Sequence, residues 1–349
     1  MTDAQASLIE TVTQRLGPRA VITDPREIEP WVNDWRGRVH GAAPAILAPS
    51  STAEVAQIVR LAAELKIPLV PQGGNTGMAA GATPPADGSA LLLSTRRMNR
   101  IRSISAENAL AVAEAGVILA TLHDAVHEAA MRFPLTLGAR GSCTIGGLVS
   151  TNAGGTQVLK FGNMRALVAG VEAVMPDGSV HNGLSGLKKD NRGYSLDQLL
   201  IGAEGTLGIV TAARLKLVPA VHSRAVAWLG LASPQAALDT LRALEANTDR
   251  IEGFEILPQE SLQAVVAHIP DTRSPLAAAH PWYALVEATA DSGEAEPPAD
   301  LLARLLAPLI ERGPVADAVI SASEAQAAAF WRIRDSLSEA ERAAFGPAT

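Results

Sequence analysis

The stretch Pro68 to Gly81, PLVPQGGNTGMAAG, holds the residues whose types and spacing point most directly to ligand chemistry. An apolar run from Ile67 to Val70 reads as a buried strand; the chain breaks at Gly73 and Gly74, and no charged side chain follows until Asp87. Glycine lets a backbone adopt conformations a side chain forbids and approach a ligand closely. Successive exposed N–H groups in such a loop make a concave anion site. With Asn75 and Thr76 as neutral donors and acceptors, the segment reads as a phosphate cradle without a lysine. It lacks the G-x-x-x-x-G-K-[ST] run of a P-loop NTPase. No two glycines stand two positions apart, so the G-x-G-x-x-G fingerprint of a dinucleotide-binding Rossmann fold, and with it an NAD-dependent dehydrogenase, is absent.

Two more segments share this texture, Gly138 to Gly155 (GARGSCTIGGLVSTNAGG) and Gly193 to Gly208 (GYSLDQLLIGAEGTLG). Of the 29 glycines, 21 lie between Gly73 and Gly208, where even placement would put about 11. Tight turns in a loop-rich domain account for some of them, but not for three clusters that each carry Ser, Thr or Asn. Other candidate groups are weaker. His123 and His127 stand four apart on an expected helix, but Asp-Ala-Val between them lacks the glutamate of H-E-x-x-H, and a solvated helix face is expected. No metal site is expected.

The elements that must position these loops follow from periodicity. Asp3 to Leu16 reads as an amphipathic helix ended by Gly17-Pro18, and Pro44 to Pro49 as a strand running to a turn. Ser51 or Thr52 can cap a helix over Thr52 to Leu65, with Val55, Ile58, Val59 and Ala62 on one face. Short strands ALLLST, RIRSIS and LAVAEAG then precede a helix over Val117 to Ala130. Beyond Pro219 only five glycines remain. Strands over Ala225–Leu231, Ile251–Ile256, Trp282–Glu287 and Val315–Ile320 alternate with helices over Pro234–Ala246, Pro258–Ala267, Pro298–Glu311 and Glu324–Ala344, and Asp291 to Pro298 is a surface loop. This reads as an α+β layer domain.

At 349 residues the chain has room for two domains. A hydrophobic fraction of 48% with 3% aromatics gives an aliphatic core. A net charge of -7 without a basic cluster argues against nucleic acid as a partner. One cysteine, Cys143, rules out a disulfide framework and a thiolate metal cage. MTDAQASLIETV lacks a signal-peptide pattern, and no apolar run is long enough to span a bilayer, so a cytoplasmic chain is expected, with a place peripheral to the inner membrane as the alternative.

PQGGNTG at Pro71 to Gly77, GSCTIGGLVSTNAGG at Gly141 to Gly155 and KKDNRGYSLDQLLIGAEGTLGIVT at Lys188 to Thr211 together resemble the FAD-linked oxidoreductases of the vanillyl-alcohol oxidase type. Within that group the chain resembles the D-2-hydroxyacid dehydrogenases that act on lactate, 2-hydroxyglutarate or glycolate. The resemblance covers most of residues 40–220. It implies an α+β fold, with a helical segment over 1–39, a two-part PCMH-type FAD-binding domain over 40–220 and an incomplete, ferredoxin-like substrate cap domain over 221–349. It also implies that Pro71, Gly73, Gly74, Asn75, Thr76 and Gly77 hold the FAD pyrophosphate. Gly138, Ser142, Gly146, Gly147, Thr151, Asn152 and Gly154 would pass along the isoalloxazine and pyrophosphate, with Glu204, Gly205, Gly208 and Ile209 helping to hold the cofactor. Relatives with covalent flavin commonly carry histidine where Asn75 stands, so the resemblance implies non-covalent FAD. Cys143 is the other attachment candidate, and a buried small thiol is its plainer reading.

In FWRIRDSLSEA, Phe330 to Ala340, the resemblance makes Arg334 the clamp on the substrate carboxylate, with Ser338 a polar neighbour one turn on and Arg332 the alternative reader. A guanidinium fork suits a carboxylate. The family's divalent-metal ligands and catalytic base are expected beyond Thr349, and the seven histidines here are scattered outside the required context. The implied activity is FAD-dependent oxidation of a D-2-hydroxyacid to a 2-oxoacid, with a quinone, a cytochrome or an electron-transfer flavoprotein as electron acceptor. This chain alone is expected to bind FAD with weak or no turnover. The alternatives are a flavin-binding subunit of a multi-chain complex, with a homo-oligomer or partner subunit, and an oxygen-using oxidase.

Overall fold

A capping box starts the chain. The Thr2 hydroxyl accepts from the Gln5 N–H at 3.2 Å and the Gln5 side chain accepts from the Thr2 N–H at 2.8 Å, fixing the start of α1 (Asp3–Leu16). The computed structural model describes residues 1–185, 187, 191, 193–291 and 295–346. Residues 188–190 and 192 of the third motif, and 292–294 of the expected surface loop, lie outside them. The chain divides into two units. One comprises Met1–Pro134, Ala139–Ala153 and Asn163–Val218, the other Leu135–Gly138, Gly154–Gly162 and Pro219–Thr349.

The first unit opens with α1, β1 (Val21–Ile22), α2 (Pro25–Val32), β2 (Ile46–Leu47), α3 (Thr52–Glu64), β3 (Leu69–Gln72) and β4 (Leu91–Ser94). Strands β2, β4 and β3 are parallel, with β1 antiparallel at the edge, in the order β1-β2-β4-β3. Leu91, Leu92 and Leu93 are fully buried, as expected of a strand covered on both faces. Leu8 and Val12 of α1 pack with Val55, Ile58, Val59 and Ala62 of α3 in one aliphatic core. Ser51 supplies the cap of α3 by accepting from the Glu54 N–H at 3.2 Å, which leaves Thr52 for another role. The expected strand at Pro44 to Pro49 is confined to two residues, and the helix α2, started by the Asp24 cap and Pro25, was not expected.

The second sheet of this unit contains β5 (Ile101–Ser105), β6 (Leu110–Glu114), β8 (Val168–Val174), β9 (Val180–Asn182) and β10 (Ile209–Lys216). It is antiparallel throughout, in the order β5-β6-β10-β8-β9. Between β6 and β8 come α4 (Leu119–His127), the short β7 (Met131–Arg132), α5 (Ile145–Ser150), α6 (Val158–Phe161) and α7 (Met164–Leu167). The helix α8 (Leu196–Leu200) precedes β10, and β11 (Val218–Pro219) follows it. Two glutamates are buried in this sheet. Arg102 bridges them, with Nε 3.2 Å from Glu114 and Nη2 2.9 Å from Glu172. Arg100 adds a 2.8 Å contact to Glu114, while the Thr52 and Thr211 hydroxyls donate to Glu172 at 2.5 and 3.0 Å.

The second unit holds a sheet of β12 (Ser223–Leu231), β13 (Ile251–Pro258), β14 (Trp282–Ala290) and β15 (Asp317–Ile320), antiparallel in the order β13-β14-β12-β15. Alternation along β12 explains its two covers. Ala225, Ala227, Leu229 and Leu231 pack with side chains of α9 (Pro234–Glu245) and α11 (Pro298–Arg312). Val226 and Trp228 pack with those of α10 (Gln259–His268), α12 (Glu324–Asp335) and α13 (Leu337–Phe345). The single helix expected over Glu324 to Ala344 is thus two helices broken at Ser336. Serine is a weak helix former whose side chain competes for backbone hydrogen bonds, and Ser336 serves as both the end of α12 and the start of α13. Ser338 therefore belongs to α13, not to the next turn of the Arg334 helix.

The glutamate network makes a pH-dependent prediction. Burial pushes both carboxyls up, but the hydrogen bonds from Arg100 and Arg102 to Glu114, and from Arg102, Thr52 and Thr211 to Glu172, outweigh it and hold both below the ordinary value. Depressed carboxylates stabilise the fold above their unfolded-state pKa, and that stability is lost as pH falls through the folded-state pKa. Arg102→Met removes the bridge between the two carboxylates, leaving Glu114 to Arg100 and Glu172 to the two threonines, and is expected to cost about 2 kcal/mol at pH 7. The loss should shrink as pH falls below the ordinary glutamate range, measured by denaturant unfolding across pH. A loss independent of pH would contradict this account.

Candidate cofactor site

Strand β3 delivers the first glycine loop, and two amide side chains pin it. Gln72, 2% exposed, donates from Nε2 to the carbonyls of Trp31 and Ala82, each at 2.9 Å. Asn75 adopts a positive φ of 52° and donates from Nδ2 to the Asn33 carbonyl at 2.8 Å and the Pro30 carbonyl at 3.4 Å. Its side chain is thus engaged at the C-terminal end of α2, where helical carbonyls lack intrahelical partners. Among the described residues, no protein acceptor takes the backbone N–H of Gly74, Asn75, Thr76 or Gly77. Just past the loop, Arg38 donates from Nη2 to the Met78 carbonyl at 3.4 Å.

The second segment lies directly against this loop. A Cβ on Gly73 would sit 2.2 Å from the Thr144 hydroxyl, and one on Gly74 would sit 2.0 Å from the Ser142 carbonyl. Thr144 caps α5 by accepting from the Gly147 N–H at 3.4 Å. Gly146 lets α5 press onto β6, where a Cβ would meet that of Ala115 at 2.6 Å. Thr151 donates to the Gly147 carbonyl at 2.9 Å, and Asn152 takes a φ of 49°. Gly138 and Gly154 fall in the second unit.

The third segment closes on the other two. The Gly202 N–H donates to the Val149 carbonyl at 3.0 Å and the Glu204 N–H to the Ser150 carbonyl at 2.9 Å. A Cβ on Gly205 would lie 2.3 Å from Pro71 Cγ, and one on Gly81 would lie 2.7 Å from a Glu204 carboxylate oxygen. Glu204 adopts a φ of 51°. Non-glycine residues in the left-handed region are uncommon, and three of the eight in the described residues, Asn75, Asn152 and Glu204, are expected cofactor residues. Gly208 sits against Leu200, Val174 and Met175, and Ile209 is 8% exposed within the aliphatic core of α1 and α3. The residues fit a diphosphate group. Backbone donors are uncommitted, three segments converge at glycine-limited distances, and the loop itself carries no charged side chain.

Sequence reasoning missed Arg165 on α7. Its N–H donates to the Asn152 side chain at 2.9 Å, and its guanidinium donates to the carbonyls of Gln198 and Ile201. Nothing in the local pattern marks it, since a charged residue in a polar turn reads as solvated.

Cys143 is buried, and burial pushes its thiol up to about 11. In the second unit, Arg334 donates from Nε to Glu255 Oε2 at 3.0 Å, with Nη2 also 3.0 Å from that oxygen. Its Nη1 lies 3.8 Å from Asp335. Arg332 donates to the Pro270 carbonyl at 2.8 Å, and Ser338 is exposed. His123 is half-buried and His127 exposed on α4. Among the described residues, no group of three or more His, Cys, Asp or Glu side chains could hold a metal ion, and no helix is long and apolar enough to cross a membrane.

Comparison with known proteins accords with this geometry. Residues 43–183 match the FAD binding domain family and residues 221–349 the C-terminal domain of FAD linked oxidases. The chain is 40% identical over 332 residues to the mitochondrial D-2-hydroxyglutarate dehydrogenase of Bos taurus, covering 94% of this chain and 59% of that protein. It is 36% identical over 340 residues to the D-2-hydroxyglutarate dehydrogenase of Xanthomonas citri pv. viticola, covering 97% of this chain and 70% of the relative. The chain thus spans about 59% of the length of the bovine relative. The crystal structure of p-cresol methylhydroxylase with substrate bound shares the fold, with a TM-score of 0.74 at 16% identity over 97% of this chain and 70% of that one. The expected cytoplasmic location is corrected, because the bovine relative and six other matched proteins are named mitochondrial. With the converging glycine segments and these matches together, the chain belongs to the family of FAD-linked oxidoreductases that includes the D-2-hydroxyglutarate dehydrogenases.

Proposed function

We propose that this chain binds FAD without a covalent bond and serves the oxidation of a D-2-hydroxyacid, of lactate, 2-hydroxyglutarate or glycolate type, to the 2-oxoacid. The observation that carries this reading is the convergence of three glycine-dense segments on a loop whose N–H groups, from Gly74 to Gly77, have no protein acceptor among the described residues. Those N–H groups would hold the diphosphate, as a concave run of amides does for anions. Pro71, Gly73, Ser142, Gly146, Gly147, Thr151, Asn152, Glu204, Gly205 and Gly208 would shape the surrounding walls. Bound FAD would supply the acceptor for the hydride leaving the substrate α-carbon.

Two features favour the non-covalent state. The Asn75 amide is not a nucleophile and is engaged with backbone carbonyls. Cys143 is buried as a neutral thiol, and the thiolate is the reactive form. On the substrate side, Arg334 is our candidate for the carboxylate clamp, with Ser338 nearby in sequence. Glu255 Oε2 accepts along the Nε–Nη2 edge and orients the fork, while Nη1, 3.8 Å from Asp335 Oδ1, is the end a substrate carboxylate would share with that residue. A quinone, a cytochrome or an electron-transfer flavoprotein would then take the electrons.

Purified chain incubated with FAD and desalted is expected to be yellow, with the colour released into the supernatant on acid precipitation. A folded chain that stays colourless would remove the cofactor assignment, and colour in the pellet would remove its non-covalent character. Cys143 is expected to resist a disulfide reagent at pH 8 in the native chain and to react with one equivalent after denaturation; rapid native labelling would contradict its burial. In the FAD-loaded chain, Arg334→Met should weaken 2-oxoacid perturbation of the flavin spectrum by roughly 10- to 100-fold, the worth of charged hydrogen bonds. An unchanged titration would move the clamp elsewhere.

A further inference from the structure

Arg165 sits where two of the three glycine segments must be held together. It lies on α7, and its own N–H donates to the Asn152 side chain at 2.9 Å. The preceding Met164 N–H donates to the Ala153 carbonyl at 2.9 Å, so α7 grips the end of the second segment through two successive amides. The guanidinium reaches the third segment. It donates to the Gln198 carbonyl and, at 3.3 Å, to the Gln198 side chain, while Nη2 donates to the Ile201 carbonyl.

These carbonyls lie at the C-terminal end of α8, where the last carbonyls lack intrahelical partners. A cation with several donors satisfies them and suits the negative end of the helix. At Ile201 the backbone turns to φ -74° and ψ 119°, leaving the helix for the turn from Gly202 to Gly205. Gly202 follows at φ +82°, and a Cβ there would lie 3.1 Å from Arg165 Nη2 and 3.2 Å from Asn152 Cβ. The arginine therefore fills the space behind the turn as well as bonding to its entrance. Two residues on, Glu204 is in the left-handed region, as is Asn152. Both conformations are costly away from glycine and persist only when neighbours over-determine them.

We propose that Arg165 is a positioning residue of the cofactor site. By capping α8 from outside and holding Asn152, it fixes the Gly202–Gly205 turn against the second glycine segment and so sets the shape that FAD meets. Resting on the FAD reading, the inference adds a residue that lies outside all three glycine segments. Lysine at this position carries the charge but has one nitrogen, and it cannot span the Gln198 and Ile201 carbonyls as the fork does.

The test is FAD titration of the deflavinated chain, followed by flavin fluorescence quenching, with the circular dichroism of the bound flavin as a shape-sensitive readout. Arg165→Ala is expected to raise the FAD Kd by roughly 10- to 100-fold, as for loss of charge-assisted hydrogen bonds, and to change the flavin dichroism. Arg165→Lys should fall between Arg165→Ala and the unsubstituted chain. Both variants are measured below the onset of melting of the FAD-free chain, so that a stability loss alone leaves Kd and dichroism unmoved. Unchanged Kd and dichroism in Arg165→Lys and Arg165→Ala, with only a lower melting temperature, would reduce Arg165 to a structural role and overturn the proposal. Should Arg165→Ala fail to fold, wild-type affinity and dichroism in Arg165→Lys would overturn it. An unsubstituted chain that binds no FAD would remove the cofactor reading and this inference with it.

Discussion

Backbone-to-backbone proximity at glycine is the constraint on which the first unit depends. At Gly74 a Cβ would lie 2.0 Å from the Ser142 carbonyl, and at Gly205 2.3 Å from Pro71. No methyl group fits at either distance, so each contact holds only while both partners keep their places. The carrier of Gly73 is the half-buried edge strand β3, paired in parallel with the fully buried leucines of β4, and the carrier of Ser142 leads into a helix held through Gly146 against Ala115 at the end of β6. The aliphatic core and the antiparallel sheet thus act as rigid supports for loops whose own side chains are small. That arrangement leaves amide N–H groups available to an anion while the polar side chains nearby are turned toward the protein.

Electrostatics is handled away from the loop. The buried Glu114 and Glu172 are satisfied by Arg100, Arg102 and two threonines, which ties the capped end of α3 to the second sheet. Another arginine, Arg165, works through carbonyls instead of carboxylates. In the second unit, Arg334 is oriented by Glu255. In all three cases an arginine's planar set of donors links segments that are distant in sequence, a task suited to a fork and poorly suited to an ammonium.

Much of this was legible from local pattern. The helix over Asp3–Leu16 appears where its capping residues and apolar spacing place it, and the strands at Leu91, Ile101 and Leu110 follow their apolar runs. The glycine clusters and their resemblance pointed to the family to which the chain belongs. What stayed hidden depends on distant partners. The helix break at Ser336 has neither glycine nor proline to announce it. Glu204 is left-handed where its N–H donates to the Ser150 carbonyl, far away in sequence. The pairing of Arg334 with Glu255 spans 79 positions, and no spacing rule reaches that far. Location within the cell was misjudged because composition says little about organelle, whereas named relatives do.

The central claim is that backbone amides of the Gly74–Gly77 loop, backed by the other two segments, hold the diphosphate of FAD. Amide hydrogen exchange of the chain with and without FAD, resolved to short peptides, tests it most directly. The account predicts that FAD slows exchange most strongly within residues 73–77, with smaller protection over 141–153 and 202–208 and little change in the sheet of β12 to β15. Binding of FAD that leaves the 73–77 amides exchanging as in the free chain would contradict it.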